Sequence, residues 1–455
     1  MNLEFERIQT DFNALGAGDW FFPVILKGVD QHRLLPQALA KDIRGFAYEA
    51  GKTAPDFGEQ IKVQDLREFL FGLAVLKRAS FRGQVTVIAG SAGKSTVKEM
   101  VRTILLRWRA NHNGTIHVSP DNQNTKIALA TQMLRLGSEC SIAAFELGAR
   151  RPYDFVVPLG FLQPSIVALL NVGTAHLGEF GSKENLEEEK LSVLRAPTAR
   201  TAVVYADDSR ILRAARKAGK TLWTFGSSGP PIGSHTHVQL CRETGRQVVF
   251  KINGGPELSV MCSSAAPKLG LNACAAFAIS LSMGVPPTIA SEAMPTFQGV
   301  ARRFQWFKWQ DVDAVDDAFN ASPESMRCGL KHLCETNLAE KKRILLVLGS
   351  MLELGPAEKY EHERVADLIL ELFSERIHRG DLGVATIGEA ARHIAMKLVN
   401  LGFPLSLIQM YSEAEEARAP LAKWKSEFDL VYFKGSRGSN LSHIFPGGRD
   451  SDGDQ

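Results

Sequence analysis

A three-domain α/β protein is what this sequence predicts, and three observations carry that expectation. The chain has 455 residues, room for three domains at a soft prior of about 150 residues each. Short β-branched runs alternate with stretches of helical periodicity, as parallel sheets covered by helices require. That alternation breaks near Gln298–Arg303 and starts again, giving two doubly wound units behind a small mixed α/β first domain. The expected boundaries are 1–82, 83–299 and 300–446, followed by a Gly- and Asp-rich tail at 447–455 that is expected to be disordered.

In the first domain the clearest element is a helix, because Val63 to Lys77 spaces its apolar residues at helical intervals. Gly83 then punctuates, and Val85–Ile88 begins the first doubly wound unit. Further strands are expected at Ile142–Phe145, Ile166–Leu170 and Ala202–Tyr205, with helices Thr96–Leu106 and Lys126–Leu136 between the first two strands. Val238–Cys241 and Val248–Ile252 flank Thr244-Gly245 and predict a hairpin. The apolar run Leu271–Met283 predicts a helix ending at Gly284, a residue suited to a helix C-terminus. The last domain is expected to have strands at Val312–Val315, Ile344–Leu348, Val384–Ile387, Leu407–Met410 and Leu430–Phe433. Its helices are expected at Glu324–Cys334, Lys359–Phe373, Ala390–Leu398 and Ala414–Trp424.

Composition excludes several classes. An apolar share of 45% and a charged share of 23% are those of an ordinary soluble globular protein. The net charge of +3 is spread over scattered residues, so neither a nucleic-acid arm nor a membrane patch is expected. The six cysteines form no C-x-x-C pair, and free thiols in a chain of this size point to a reducing cytoplasm. Met1 to Asp11 lacks the basic-then-apolar order of a secretory signal, and Phe69–Leu76 is too short to cross a bilayer.

The most informative segment is Gly90-Ser91-Ala92-Gly93-Lys94-Ser95-Thr96, between an expected strand and an expected helix. Glycines let the backbone turn tightly and aim N–H groups at phosphate oxygens, and the helix N-terminus adds its dipole. Lys94 can neutralise the β- and γ-phosphates of ATP, and the Ser95 hydroxyl can ligate Mg²⁺. The common Walker pattern has a Gly five residues before Gly93, where this chain has Ile88; the loop is a shortened variant. The second domain is thus expected to be P-loop ATPase-like and the third Rossmann-like.

That shortened loop resembles the one in the Mur ligases, which join amino acids or peptides to a cell-wall precursor. Within the family the chain looks most like the MurF type, the UDP-N-acetylmuramoyl-tripeptide–D-alanyl-D-alanine ligases. The likeness is strongest from Val85 to Lys190 and returns from Asn272 to Glu353 and around Lys434. Phe145-Glu146-Leu147-Gly148-Ala149 is similar to the family's strand end whose Glu binds magnesium, and a carboxylate at such a tip faces the ligand crevice of these folds. Asn171-Val172-Gly173-Thr174-Ala175-His176-Leu177 looks like the next strand end, where the family's His, here His176, binds a second metal. Lys190 falls where the family carries a carbamylated lysine, a cation converted to a metal-ligating anion.

The resemblance also implies the remaining positions. Asn122 and Asn124 belong to an Asn-rich turn on the substrate side, although helix capping explains them equally well. Asn272 and Arg303 would reach the nucleotide, the latter from the hinge Ala301-Arg302-Arg303. The stretch from Asp316 through Asn320 to Pro323 is similar to the family's Asp-Asp-x-Tyr-Asn-Ala-Asn-Pro, assigning Asp316 to the nucleotide and Asn320 to substrate. The loop Lys434-Gly435-Ser436-Arg437-Gly438 would line the site for the incoming dipeptide through Lys434, Ser436 and Arg437. Ser322 and Ser350 depart from the family pattern, as does Lys268-Leu269 where relatives carry a His-Asn pair. The N-terminal domain, implied to hold the UDP-sugar, follows the family only loosely and lacks a recognisable Ser- or Thr-rich uridine turn.

ATP-driven amide formation through an acyl phosphate is the chemistry that the resemblance implies, with ATP and two Mg²⁺ ions as cofactors. The expected metal set is Ser95, Glu146, His176 and carbamylated Lys190, and the expected catalytic set is Lys94, Glu146, His176 and Lys190. UDP-N-acetylmuramoyl-tripeptide and D-Ala-D-Ala would be the substrates of a cytoplasmic monomer. Two rival readings stay open: a ligase of the same superfamily for another acid and amine, and a catalytically silent homologue. The second predicts loss of the phosphate lysine and metal ligands, yet Lys94, Ser95, Glu146 and His176 are all present.

Overall fold

The structure, a computed structural model, describes residues 3–26, 28–110, 114–173, 177–262, 266–335 and 342–445. Two expectations, His176 and the tail at 447–455, lie outside them. Each of the three regions has its own main sheet, of four, nine and six strands.

The nine-stranded sheet is the centre of the molecule. Its order is Glu257–Met261, Gln247–Ile252, Thr236–Thr244, Thr221–Gly226, Thr201–Tyr205, Ile166–Leu169, Gln84–Ala89, Cys140–Glu146 and Thr115–Val118. Neighbours pair in parallel except at the first two junctions, where the expected hairpin and a further strand run antiparallel. The chain enters at Gln84–Ala89 and builds Thr115–Val118 and Cys140–Glu146 on one side. It then crosses to Ile166–Leu169 on the other. This reversal opens a crevice beyond the C-terminal ends of three adjacent strands, where such sheets hold ligands.

Two helices cover one face: Lys94–Arg109 and Leu269–Ser282 pack Val97, Met100 and Ile104 against Ala273, Phe277 and Ile279. The second is apolar nearly all round, the signature of a fully buried helix, and Gly284 follows it at φ 95°. On the opposite face lies a helix expected to start at Val63. Val63 instead ends a strand, Glu59–Val63, and the Asp65 side chain accepts from the N–H groups of Arg67 and Glu68, so the helix is Leu66–Ser80. Its Leu66, Leu70 and Ala74 share one core with Ile8, Trp20 and Ala47 of the N-terminal sheet and with Val85, Leu129 and Met133 of the central domain. The first two domains are therefore continuous in packing across the expected boundary at residue 82.

The N-terminal sheet is parallel throughout, in the order Ile8–Gln9, Trp20–Phe21, Gly45–Glu49, Glu59–Val63. In the C-terminal sheet the order is Gln305–Trp309, Val312–Asp316, Leu430–Lys434, Ile344–Gly349, Leu382–Ile387, Ile408–Tyr411. The strand Gln305–Trp309 had no expectation attached; it pairs antiparallel at the edge, and the rest are parallel. Side chains from the two faces form separate cores, Tyr432 and Val315 on one and Phe433 and Ala314 on the other. The six cysteines are all free. No helix among the described residues is long and apolar enough to cross a membrane.

Candidate active site

Three strand ends supply the floor of the crevice. The Gln84–Ala89 strand passes into the Gly90–Gly93 turn and then directly into the helix at Lys94, two residues earlier than expected. Gly93 takes φ 80°, and a Cβ there would stand 2.8 Å from Asn272 Oδ1, so only glycine fits between the loop and the buried helix. Lys94 Nζ donates to Gly90 O at 2.8 Å, folding over its own loop. Enclosure pulls the Lys94 ammonium below the ordinary lysine range; Glu146 opposes the shift and Arg303 adds to it. The first-turn amides of an α-helix have no intrahelical partners, and Lys94, Ser95 and Thr96 border the crevice with theirs.

Glu146 ends its strand and is 2% exposed. Its backbone N–H donates to Ser119 Oγ, and its Oε1 accepts from Asn124 Nδ2 at 3.0 Å. Its Oε2 is buried and has no hydrogen-bond partner among the described residues. An orphaned carboxylate oxygen in the cavity that the P-loop serine also borders fits a cation, so Ser95 and Glu146 meet the donor chemistry that Mg²⁺ takes. Among the described residues no group of three His, Cys, Asp or Glu side chains forms a complete metal cluster.

The C-terminal domain closes over the loop. Arg303 stacks its guanidinium on the Phe319 ring at 4.2 Å and donates from Nη2 to Ser95 Oγ at 3.1 Å. Lys268 Nζ meets Glu324 Oε1 at 2.9 Å, joining the central domain to the first turn of the C-terminal helix Pro323–Glu335. Ser322, which departs from the family pattern, caps that helix by accepting from Ser325 N–H. The Lys268–Glu324 side chains are 48% and 34% exposed, so the pair contributes at most about 1 kcal/mol. Glu324→Lys is expected to raise the KM for nucleotide by no more than about fivefold, and adding Lys268→Glu to restore it. Steady-state kinetics of the four-member cycle reads this, and equal losses in single and double variants would exclude a direct pairing.

These parts line one cavity of about 1740 Å³ that reaches all three domains. Ser91, Ala92, Gly93, Lys94, Ser95, Thr96, Asn122, Asn124, Glu146, Asn272, Arg303, Asn320, Lys434 and Arg437 all border it. Gln9 to Ala14, Gln31 and Arg67 border it from the N-terminal domain, and none of these was singled out from the sequence. Gly90, also expected at the nucleotide, does not border the cavity, and three further expected residues stand elsewhere. Asp316 is turned from the cavity: its Oδ1 accepts from Ala318 N–H, its other oxygen faces Arg302 Nε at 3.5 Å, and burial raises its carboxyl above the usual range. Its neighbour Asp317 borders the cavity instead and accepts from Lys434 Nζ at 2.7 Å and Tyr432 OH at 2.9 Å. Ser436 is buried, its Oγ taking a hydrogen bond from Leu352 N–H.

Lys190, the third, lies behind the cavity wall, 1% exposed. It donates to Ala149 O at 3.1 Å and sits between the Phe155 and Phe180 rings at 5.5 and 5.6 Å. Burial, with repulsion from Lys94, pushes its amine down to about 7 against the attraction of Glu189 and Asp154. Asn171, to which the sequence assigns no role of its own, makes three side-chain hydrogen bonds to the phosphate loop: Oδ1 accepts from Ser91 and Ala92 N–H, and Nδ2 donates to Ala92 O.

The comparisons with known proteins agree with this layout. The Mur ligase middle domain pattern matches residues 88–280, and the Mur ligase glutamate ligase domain pattern matches 302–437. The UDP-N-acetylmuramoyl-tripeptide–D-alanyl-D-alanine ligase of Bacillus subtilis (strain 168) is 26% identical over 447 residues, covering 96% of this chain and 92% of the relative. Its counterpart from Synechocystis is 28% identical over 372 residues, covering 80% of this chain and 76% of the relative. The crystal structure of MurF from Acinetobacter baumannii gives a TM-score of 0.79 at 24% identity over 96% of this chain and 92% of that one. MurF from Thermotoga maritima, solved in complex with ADP, gives 0.76 at 24% identity over 98% and 97% of the two chains. With both domain patterns matched in order and the three-domain layout shared, the chain belongs to the Mur ligase family.

Proposed function

We propose that this protein is an ATP-dependent ligase of the MurF type, which adds D-alanyl-D-alanine to UDP-N-acetylmuramoyl-tripeptide in the synthesis of peptidoglycan precursors. The observation that carries the reading is the single cavity of about 1740 Å³, with the phosphate loop on its floor and all three domains on its walls. Such a space accommodates a nucleotide, a large acidic substrate and an amine together. A simple ATPase needs only the first.

In this reading the terminal carboxylate of the tripeptide attacks the γ-phosphorus of ATP, the bond to the β-phosphate oxygen breaks, and ADP leaves. The free amine of the dipeptide then attacks the acyl carbon; the C–O bond to phosphate breaks, and the amine loses its proton as the amide forms. Phosphoryl transfer needs charge neutralisation and positioning more than a nucleophilic side chain. Lys94 and Arg303 converge on the loop from two domains and supply the positive charge. Asn124 orients the Glu146 carboxylate. Ser95 and Glu146, with His176, would hold Mg²⁺, whose charge neutralises the phosphates when bound; Lys190, which as an amine is turned to Ala149 O behind the wall, would join them only as a carbamate. Asn122, Asn272 and Asn320 face substrate or nucleotide from the walls, and Asp317 holds Lys434 at the acceptor end. The N-terminal residues Gln9 to Ala14 and Arg67 belong to the UDP-sugar side. Closure of the C-terminal domain at the hinge near Gly299 to Arg302 brings the amine to the acyl phosphate and excludes water.

The test is phosphate release with ATP, Mg²⁺, UDP-N-acetylmuramoyl-tripeptide and D-Ala-D-Ala, with the amide product identified by mass. Release that requires both substrates is the expected result. Release with neither, or with a different acid and amine only, overturns the assignment.

A further inference from the structure

We propose that Asn171 is a positioning residue for nucleotide binding, clamping the shortened phosphate loop into shape from the neighbouring strand end. The inference rests on the nucleotide-binding part of the reading above and names a residue that the reading does not need.

The loop has Ile88 where a longer one places its first glycine, so it closes with fewer residues of its own. Between Gly90 and the helix only Ser91, Ala92 and Gly93 remain. A turn this short has few internal hydrogen bonds available, and unpaired backbone groups in an enclosed site are costly. Asn171 meets them from outside. Its Oδ1 accepts from Ser91 N–H at 3.0 Å, a donor that the Asn171 backbone carbonyl shares at 3.3 Å, and from Ala92 N–H at 2.9 Å, while Nδ2 donates to Ala92 O at 2.9 Å. Gly173 N–H, two residues on, donates to Ser91 Oγ at 2.9 Å. Below these contacts a Cβ on Gly90 would stand 3.1 Å from Leu170 Cβ, so the loop seats directly on the adjoining strand end.

The consequence is a division of labour among the amides. Those of Ser91 and Ala92 are engaged by Asn171, and the phosphates are left the donors of Gly93 and of the helix start from Lys94 onward. Only asparagine provides this clamp. Aspartate accepts but cannot donate to Ala92 O, serine is too short to span both sides, and glutamine carries its amide one methylene too far. Because the clamp comes from a different strand, the loop's shape is set by tertiary structure rather than by its own sequence.

The experiment measures Mg²⁺-ADP binding to the full-length enzyme and its Asn171→Ala variant by calorimetry, beside steady-state kinetics. The expected result is an ADP Kd raised about 10–100-fold, the loss of two or three hydrogen bonds, with KM for ATP raised in step and KM for the amine unchanged. A role in folding alone would lower the active fraction and leave Kd and both KM values unmoved; that result overturns the proposal. Should the variant not fold, amide exchange of the unaltered enzyme without nucleotide decides. Slow exchange at Ala92, whose N–H is held by the Asn171 side chain, relative to Lys94 supports the clamp, and fast exchange at Ala92 overturns it. A wild-type enzyme that binds no ADP overturns clamp and nucleotide reading together. One that binds ADP through the clamp but forms no amide overturns the ligase assignment alone.

Discussion

Lys94→Ala is expected to lower phosphate release at least about 10³-fold at saturating substrates, with little change in the thermal midpoint of the protein. A unit charge about 4 Å from a phosphate, at an effective dielectric near 20, is worth about 4 kcal/mol, which corresponds to roughly three decades in rate. The surroundings give Lys94 no structural duty of that size. Its one hydrogen bond goes to Gly90 O within its own loop. Enclosure and Arg303 already press its ammonium toward the neutral form, and bound phosphate reverses that pressure. The lysine is therefore more strongly held in the charged form when nucleotide is present, and the gain is largest where negative charge is greatest. Lys94→Arg keeps the charge but replaces a compact donor with a planar fork, and is expected to recover only part of the loss. The assay is phosphate release with both substrates present; turnover of Lys94→Ala within tenfold of wild type would remove the lysine from the mechanism.

How far this site could be read in the sequence differs from residue to residue. The loop was legible because it needs only local chemistry: β-branched run, glycines, Lys-Ser, helix. The place of Glu146 at the crevice was legible because it follows the apolar run Ile142–Phe145 at a strand end. Asp316 and Asp317 were not separable. Successive strand residues face opposite ways, and only the register of Val312–Asp316 against Leu430–Lys434 decides which one reaches the cavity. Ala314 shares the face of Phe433, so Asp316 turns there, while Asp317 reaches Tyr432 and Lys434. Asn171 was hidden for another reason: a neutral amide at a strand end is as good a turn former as a loop clamp until its partners, some 80 residues away, are known. The fold was readable where helix and strand periods differ sharply. It failed at Val63, where a polar edge strand runs into an amphipathic helix and the capping aspartate alone marks the boundary.

The segment Glu187-Glu188-Glu189-Lys190 reads as a solvated helix face, yet Glu189 and Lys190 are both buried. The Glu189 carboxylate accepts from the N–H groups of Tyr153 and Phe155, fixing the turn whose Ala149 carbonyl receives Lys190. An acidic run thus serves two structural bonds and a buried cation. The two features belong together, because a lysine enclosed by aromatic rings stays only where neighbouring groups offset its desolvation.

Lys190→Met is accordingly expected to be more stable than wild type at pH 6.5, by an amount that shrinks as the pH rises. The folded amine titrates at about 7 against an ordinary value of 10.5. Between those values the unfolded chain binds more protons than the folded one, so this group makes stability rise with pH through that window. Below about 7 both states carry the proton, and the folded state bears the full cost of an enclosed ammonium, at most about 5 kcal/mol. Urea midpoints of both proteins at pH 6.5, 8 and 9.5 measure it, and a difference that does not change with pH would refute the assignment of a depressed amine. The same depression suits the chemistry proposed for Lys190. An uncharged amine can attack the carbon of CO₂, form an N–C bond and release one proton, leaving a carbamate anion; an ordinary surface lysine is protonated too completely to do so. Wild-type turnover is expected to rise with added bicarbonate at pH 7.5, whereas Lys190→Met turnover is expected to fall about 10²-fold or more and not respond. Stability and activity then move in opposite directions in one substitution. That is the outcome when a fold retains a destabilising group for its chemistry, and a merely structural lysine would lose both together.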